Sequence, residues 1–132
     1  MGQETDSDKI ARLEREIERL RAENERLRRA LEEALRAATE APLDIMRACA
    51  EAIGHASVVA TYGNTNASSD VRVGLELLGA GLRGARLNVE VNLASMKDPA
   101  FIANVRSEAD RLAGDAESGH AAALAVLESP GH

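Results

Sequence analysis

Aromatic residues and cysteine are scarce in this sequence, and the two shortages exclude several kinds of protein. Tyr62 and Phe101 are the only tyrosine and phenylalanine, tryptophan is absent, and Cys49 is the only cysteine. One cysteine excludes a disulfide within the chain and indicates a reducing compartment. Since 45% of the residues are nevertheless hydrophobic, a core must form from alanine, leucine and valine at close backbone approach, which suits packed helices.

Other absences narrow the function. The net charge is −6 and neither half of the chain has a basic patch, which argues against nucleic-acid binding. Without a long apolar run or a signal peptide, we expect no membrane contact and a cytoplasmic location. Neither Cys49 nor His55 has ligands at metal-binding spacing, so we expect no metal and interpret both as packing residues. A nucleophile–base pair is also missing.

The clearest pattern present is a heptad repeat over residues 10–38. Isoleucine and leucine at the a positions, with leucine at the d positions, are typical of helices wound together, and this combination favours two strands. Asn24, at an a position, fixes register and strand number at a cost in stability. The residues that we assign to the dimer contact are Ile10, Leu13, Ile17, Leu20, Asn24, Leu27 and Leu31.

The charges beside this repeat favour a parallel homodimer. In a parallel pair, each g residue meets the next e residue of the partner. The three pairs that result are opposite in sign, namely Lys9 with Glu14, Glu16 with Arg21 and Glu23 with Arg28. The alternative is one long solvated helix packed on its own chain.

The remaining signals predict a parallel dimeric coiled coil running into a small helical bundle. We expect a disordered leader at 1–7, the coil at 8–39, the bundle at 40–128 and a frayed tail at 129–132. Ser7 or Asp8 is expected to cap the first helix. Pro42 is expected to kink or restart it, with Thr39 as the new cap.

Two later segments are less regular. Residues 61–69 are rich in Gly, Asn and Ser and predict a loop ending in a helix cap at Ser68 or Ser69. Residues 87–93 alternate as a strand does, although the preceding leucines have helical spacing. Residues 79–84 match a dinucleotide-binding fingerprint by letter, but no strand precedes them, so helix packing is the better interpretation. Asp98 and Pro99 begin a last helix.

Three short runs carry a family resemblance. Residues 34–43 form an alanine-rich helix ending in Pro-Leu, residues 63–70 read Gly-Asn-Thr-Asn-Ala-Ser-Ser-Asp, and residues 87–93 read Leu-Asn-Val-Glu-Val-Asn-Leu. In this order and spacing, the chain resembles the C-terminal half of the formiminotetrahydrofolate cyclodeaminase / methenyltetrahydrofolate cyclohydrolase family, from about residue 31 to 127.

The resemblance implies an all-α fold, so residues 87–93 would be helical, and it implies homodimers and a tetrahydrofolate derivative as substrate. Chemistry at the methenyl or formimino bridge needs a proton donor or acceptor. Asp70 is the candidate catalytic residue, with a helix cap as its alternative role. The expected substrate-binding residues, all facing one region, are Tyr62, Asn64, Asn66, Ser69, Asn88 and Asn92.

The chain departs from the family at its N-terminus, where the coil stands in place of the family's first helices. A half domain should expose apolar faces, so we expect either a second copy or a separate protein to cover them. Two functions follow: a folate one-carbon enzyme, partial or degenerate, or a non-catalytic homodimeric binding module.

Overall fold

Three helices account for nearly all of the computed structural model, which describes residues 2–129. Helix α1 runs Asp6–Tyr62, α2 runs Ser68–Ala94 and α3 runs Pro99–Leu127. No residue within 2–129 lies in a β-strand, so the expected all-α fold is confirmed. Residue 1 of the predicted leader and residues 130–132 of the predicted tail lie outside the described range. None of the described helices combines the length and apolar character needed to cross a bilayer.

The start of α1 uses a different cap from the one expected. The Thr5 hydroxyl accepts from the Asp8 N–H at 3.2 Å, and the Asp8 carboxylate accepts from the Thr5 N–H at 3.1 Å. This reciprocal arrangement is a capping box, with Asp8 as its third helical residue. Ser7 is therefore not the cap, and the helix begins inside the predicted leader. The bonds from Thr5 lower the pKa of Asp8.

Helix α1 does not restart at Pro42, so the restart, one of the two outcomes expected there, is wrong. The helix continues through the buried proline, and the Thr39 hydroxyl donates to the Leu35 carbonyl at 2.7 Å instead of capping a new helix. Proline has no N–H for the carbonyl four residues earlier, that of Ala38. Asn92 on α2 supplies the missing donor: its Nδ2 donates to this carbonyl at 3.2 Å.

The chain divides into two compact units, Met1–Ala34 and Leu35–His132. In the first unit the isoleucine and leucine residues of the predicted coil are exposed. Their fractional exposures lie between 46% for Ile17 and 57% for Ile10. Within the chain, Glu16 and Glu23 pair with Arg19 and Arg26, each at 2.6 Å and one helical turn away. Exposed pairs of this kind contribute little, so they leave the apolar stripe as the unit's main feature.

Residues 87–93 are helical, as the family resemblance implied and the alternation did not. Val89 and Leu93 are buried on α2 together with Leu82 and Ala85. Leu87 and Val91, which complete the apparent alternation, are 69% and 68% exposed. The strand-like pattern therefore combines a buried helical stripe with apolar residues on the outer face of the same helix.

Helix α3 begins as expected. The Asp98 carboxylate accepts from the backbone N–H groups of Ala100 and Phe101 at 3.0 and 3.2 Å, with Pro99 in the first turn. The bond from the Phe101 N–H lowers the pKa of Asp98 most, followed by the ion pair with Arg36. The Arg36 guanidinium also lies 4.7 Å from the centre of the Phe101 ring, within cation–π range.

The second unit is a three-helix bundle around one core. From α1 the core takes one helical stripe that includes Met46, Ile53, Ala56 and Ala60, and Cys49 beside this stripe is only half-buried. Glycine allows two close approaches: a side chain at Gly119 would lie 3.2 Å from the Ile53 carbonyl and 3.3 Å from the Gly54 Cα. The largest fully buried side chains are Leu43, Met46, Ile53, Leu75, Val89 and Leu93.

One bidentate ion pair joins α1 to α3. Arg47 donates from Nε and Nη2 to the two carboxylate oxygens of Glu108, at 2.7 and 3.0 Å. The pair lowers the pKa of Glu108, chiefly through these hydrogen bonds. Parallel bonds between planar groups fix orientation as well as distance, so this pair helps to set how α3 lies along α1.

Candidate functional site

The connection between α1 and α2 holds most of the predicted site residues. Helix α1 ends at Tyr62, and the backbone then turns so tightly that a Cβ at Gly63 would overlap the Val59 carbonyl oxygen. The Asn64 side chain then accepts from the Asn66 N–H at 3.0 Å, which begins the turn Thr65–Ala67. Glycine and asparagine in this segment are therefore explained first by the path of the backbone.

Helix α2 begins without the side-chain cap expected from the sequence. Its N-cap is Ala67, which makes no side-chain bond, and the Ser68 hydroxyl donates back to the Thr65 carbonyl at 2.6 Å. Asp70 lies in the first turn, where a carboxylate interacts favourably with the positive end of the helix dipole. Within residues 2–129, no hydrogen bond or ion pair engages the Asp70 side chain.

Several polar groups in this segment are consequently unengaged. The Tyr62 side chain is 84% exposed, and Asn64, Asn66, Ser69 and Asp70 are all exposed. Asn64 uses its carbonyl oxygen in the turn, which leaves its amide N–H groups to bind a ligand. The segment 62–70, which we name the site loop, therefore presents an aromatic ring, amide and hydroxyl donors and one carboxylate.

Asn88 and Asn92 do not join the site loop within one chain. Asn88 follows Asp70 by eighteen residues on α2, which at the helical rise corresponds to about 27 Å. The expectation that all the candidate residues face one region is therefore wrong for a single chain. A separation of four residues places the two asparagines on one helix face. It does not determine how far along the bundle they lie from the site loop.

The two asparagines instead line a groove of about 350 Å³ between α1 and α2. Ala38, Ala41 and Ile45 form the α1 side of this groove. Asn92 is occupied with the Ala38 carbonyl freed by Pro42, as described above. Its position thus has a structural reason that sequence spacing did not reveal, because proline and asparagine lie fifty residues apart.

A second concave surface, between α2 and α3, was not found from the sequence. It has a volume of about 400 Å³, and Ile53, Leu75 and Leu82 form its apolar floor. Around it lie His120, whose Nε2 is 3.6 Å from a Glu76 carboxylate oxygen, and further charged groups. The charged and imidazole side chains at its edge are Glu76, Arg83, Arg86, Glu117 and His120.

This cavity brings together residues that had no pattern in common. His120 belongs to no sequence motif, and the nearest carboxylate along α3, Glu117, lies one helical turn earlier and lines the same cavity. The signal that could have been used is the helical spacing of Glu76, Gly79 and Arg83 on α2, with Gly79 making room beside the Arg83 side chain. Within residues 2–129, no group of three His, Cys, Asp or Glu side chains is placed to hold a metal ion.

Comparison with known proteins identifies the family. The model of the formiminotransferase-cyclodeaminase family matches residues 6–111. The match confirms the resemblance noted in the sequence, and it extends it through the heptad segment, which the resemblance had left outside.

Named relatives agree with this match. A methenyltetrahydrofolate cyclohydrolase of Methylorubrum extorquens is 42% identical over 79 residues, 60% of this chain and 38% of the relative. Formimidoyltransferase-cyclodeaminases of Dictyostelium discoideum and Gallus gallus are 32% and 37% identical over 92 and 71 residues. The matches cover 70% and 54% of this chain but 17% and 13% of those two proteins. The chain therefore spans well under half the length of the curated relatives it matches.

Proposed function

The chain belongs to the formiminotransferase-cyclodeaminase family, and from this membership we propose that it acts on the methenyl or formimino bridge of a tetrahydrofolate derivative. The observation that carries the proposal is the site loop, which lies inside the matched residues and presents unengaged polar side chains. The names of the relatives, a methenyltetrahydrofolate cyclohydrolase and two formimidoyltransferase-cyclodeaminases, support the same substrate class.

In this proposal each group of the site loop has a chemical task. The exposed Tyr62 ring stacks on the flat pterin, and Asn64, Asn66 and Ser69 donate or accept hydrogen bonds at its heteroatoms. Hydrolysis of a methenyl bridge adds water to the bridging carbon, so a base must take a proton from that water. Asp70 is the carboxylate of the loop and fills this role.

We propose further that one chain forms only part of the site. The loop is exposed on every candidate residue, whereas proton transfer and charge stabilisation are effective where water is excluded. A second copy, paired in parallel through the coiled coil, or a separate protein that supplies further helices, would enclose the loop.

The alternative function is a non-catalytic homodimeric module that binds a small molecule or protein. The cavity between α2 and α3 favours this alternative, because it contains no residue of the site loop and has the size of a small-ligand site. Its edge combines Arg83 and Arg86 with two carboxylates, which suits a small molecule that carries both charges.

Two measurements separate the two functions. Calorimetric titration with methenyltetrahydrofolate measures binding, and loss of the methenyl absorbance measures hydrolysis. We expect binding and slow hydrolysis by the natural chain, binding without hydrolysis by Asp70→Asn, and unchanged behaviour in the matched variant Asp115→Asn.

Quenching of Tyr62 fluorescence on binding would place the ligand at the site loop. No heat at millimolar ligand would refute the folate proposal. Binding abolished by Arg83→Ala and unaffected by Asp70→Asn would favour the cavity.

A further inference from the structure

Side-chain pairs across α2 and α3 follow one register. Each pair joins an acidic side chain to a basic one, and every step along α2 is matched by an equal step backwards along α3. The pairs are Glu90 with Arg106, Arg86 with Asp110, and Glu76 with His120. The two helices are therefore antiparallel with one fixed alignment, and this alignment gives the level of every other residue along their contact.

Two levels within this series have no pair. In the same register, Arg83 lies level with Ala113 and Glu117 lies level with Gly79. Within residues 2–129, no hydrogen bond or ion pair engages the Arg83 or Glu117 side chain. Both residues line the cavity of about 400 Å³ between the two helices. The series is thus interrupted at the cavity, where one cation and one carboxylate stand without a partner.

Gly79 determines where the arginine lies. A Cβ at residue 79 would be 3.1 Å from Nη1 of Arg83, so the arginine side chain folds back by one helical turn over the glycine. The fold brings the guanidinium to the level of Glu117 on the opposite helix. Neighbouring helix axes lie about 8–10 Å apart, a gap that a small molecule can bridge. The first glycine of the fingerprint-like run 79–84 therefore has a structural role at this cavity.

We propose that this cavity binds a free α-amino acid with an apolar side chain. Arg83 donates to the carboxylate of the ligand from a planar fork that matches two oxygens, and Glu117 accepts from its ammonium group. The side chain of the ligand leaves water against the floor of Ile53, Leu75 and Leu82. The inference makes the alternative function specific, and it does not depend on the folate proposal.

The charges around the cavity favour a zwitterion over other small ligands. The other basic and acidic groups at its ends are engaged in their own pairs, which leaves one positive and one negative group for a ligand. An inorganic anion would be repelled by Glu117, and a simple amine would be repelled by Arg83. An uncharged ligand would cover both charges without pairing them, which costs desolvation energy.

NMR titration of the full chain with leucine, in the absence of folate, tests the proposal. Two analogues keep the apolar side chain and remove one charge each, since leucinamide has no carboxylate and 4-methylpentanoate has no ammonium group. We expect millimolar leucine to shift the amide signals of the cavity residues, and each analogue to bind at least about tenfold more weakly. Equal binding of all three compounds would overturn the proposal, and so would the absence of shifts with leucine.

Variants locate the site on the chain. Arg83→Ala and Glu117→Gln should each weaken leucine binding about tenfold, whereas Arg111→Ala, an exposed arginine of α3 outside the cavity, should leave it unchanged. Gly79→Leu keeps every charge but fills the space that the guanidinium occupies, so it should also remove binding.

Circular dichroism checks that each variant keeps its helices, and leucine at position 79 favours helix over the natural glycine. Unchanged leucine affinity in Arg83→Ala or in Gly79→Leu would overturn the proposal, as would an equal loss in Arg111→Ala. No folate is present in these titrations, so failure to bind folate in the separate calorimetry leaves their outcome untouched.

Discussion

The hydrogen bond from Asn92 to the Ala38 carbonyl predicts that Pro42 and Asn92, fifty positions apart, are energetically coupled. Pro42 leaves that carbonyl without its helical donor, and the Asn92 Nδ2 lies 3.2 Å from it. A neutral side-chain hydrogen bond contributes about 1 kcal/mol net. The Asn92→Ala variant loses this bond, but it also gains helix propensity worth up to about 0.7 kcal/mol. The change in stability for this variant alone is therefore close to zero and uninformative.

Asn88 provides the matched control, because it lies one turn earlier on the same helix and no described residue bonds to its side chain. Asn88→Ala gains the same propensity and loses nothing, so it should stabilise the chain by about 0.5 kcal/mol. The difference between the two variants isolates the hydrogen bond, and we expect it to be about 1 kcal/mol.

The same pair of substitutions in a Pro42→Ala background completes the test. Alanine at position 42 restores an N–H for the Ala38 carbonyl, so the Asn92 amide is no longer needed there. The difference between Asn92→Ala and Asn88→Ala should then fall below about 0.3 kcal/mol, the usual limit of additivity between independent sites. A difference that is equally large in both backgrounds would refute the proposed role of Pro42.

Urea unfolding followed by circular dichroism measures these differences, at one fixed protein concentration. The concentration is held constant because any association of chains would contribute to the apparent stability. The Pro42→Ala variant also changes packing around a buried residue, which alters both members of each comparison equally. The coupling energy is therefore meaningful even where the single variant is strongly stabilised or destabilised.

Two further predictions follow, one from the ion pair between α1 and α3 and one from the heptad repeat. Because hydrogen bonds from Arg47 lower the pKa of Glu108 from its usual value, the pair stabilises the fold at neutral pH, and this contribution is lost as pH falls through the lowered pKa. Glu108→Gln should therefore lower the melting temperature at neutral pH and match the natural chain in acid. An equal deficit at both pH values would contradict this. Asn24→Leu should raise coil stability but give mixed oligomers by sedimentation, whereas a single dimeric species would show that Asn24 does not select strand number.

Much of the fold could be predicted because its causes are local or periodic. The core stripe of α1 follows from helical spacing, and the start of α3 follows from Asp98 and Pro99, whose cap needs no distant partner. The alternation of residues 87–93 suggested a strand because apolar side chains on the outer face of the helix lie between those of the buried stripe. The family resemblance corrected this segment, since it uses residue identity and order as well as hydrophobicity.

The errors at the helix ends have a different origin. Thr5 and Ser7 are both good caps by residue type, and only the reciprocal bond with Asp8 selects between them. Pro42 could not be assigned correctly from its neighbours, because the donor that compensates for its missing N–H comes from another helix.

The candidate site was only partly accessible to sequence reasoning. Residues of the site loop are adjacent in the chain, so their proximity was certain in advance. Asn88 and Asn92 were grouped with them by family resemblance, and one chain holds these two residues about 27 Å and about 33 Å from Asp70 along α2. The cavity at His120 was missed because its walls come from separate helices, and no spacing within one helix describes it.

The contact at Gly119 makes the bundle sensitive to a single carbon atom. Even a methyl group there would press on the Ile53 carbonyl and the Gly54 backbone from 3.2 to 3.3 Å, and rigid main chain has to move to admit it. His120, the next residue, borders the cavity between α2 and α3. A substitution at this glycine would thus change the shape of that cavity without changing any of the side chains along its edge.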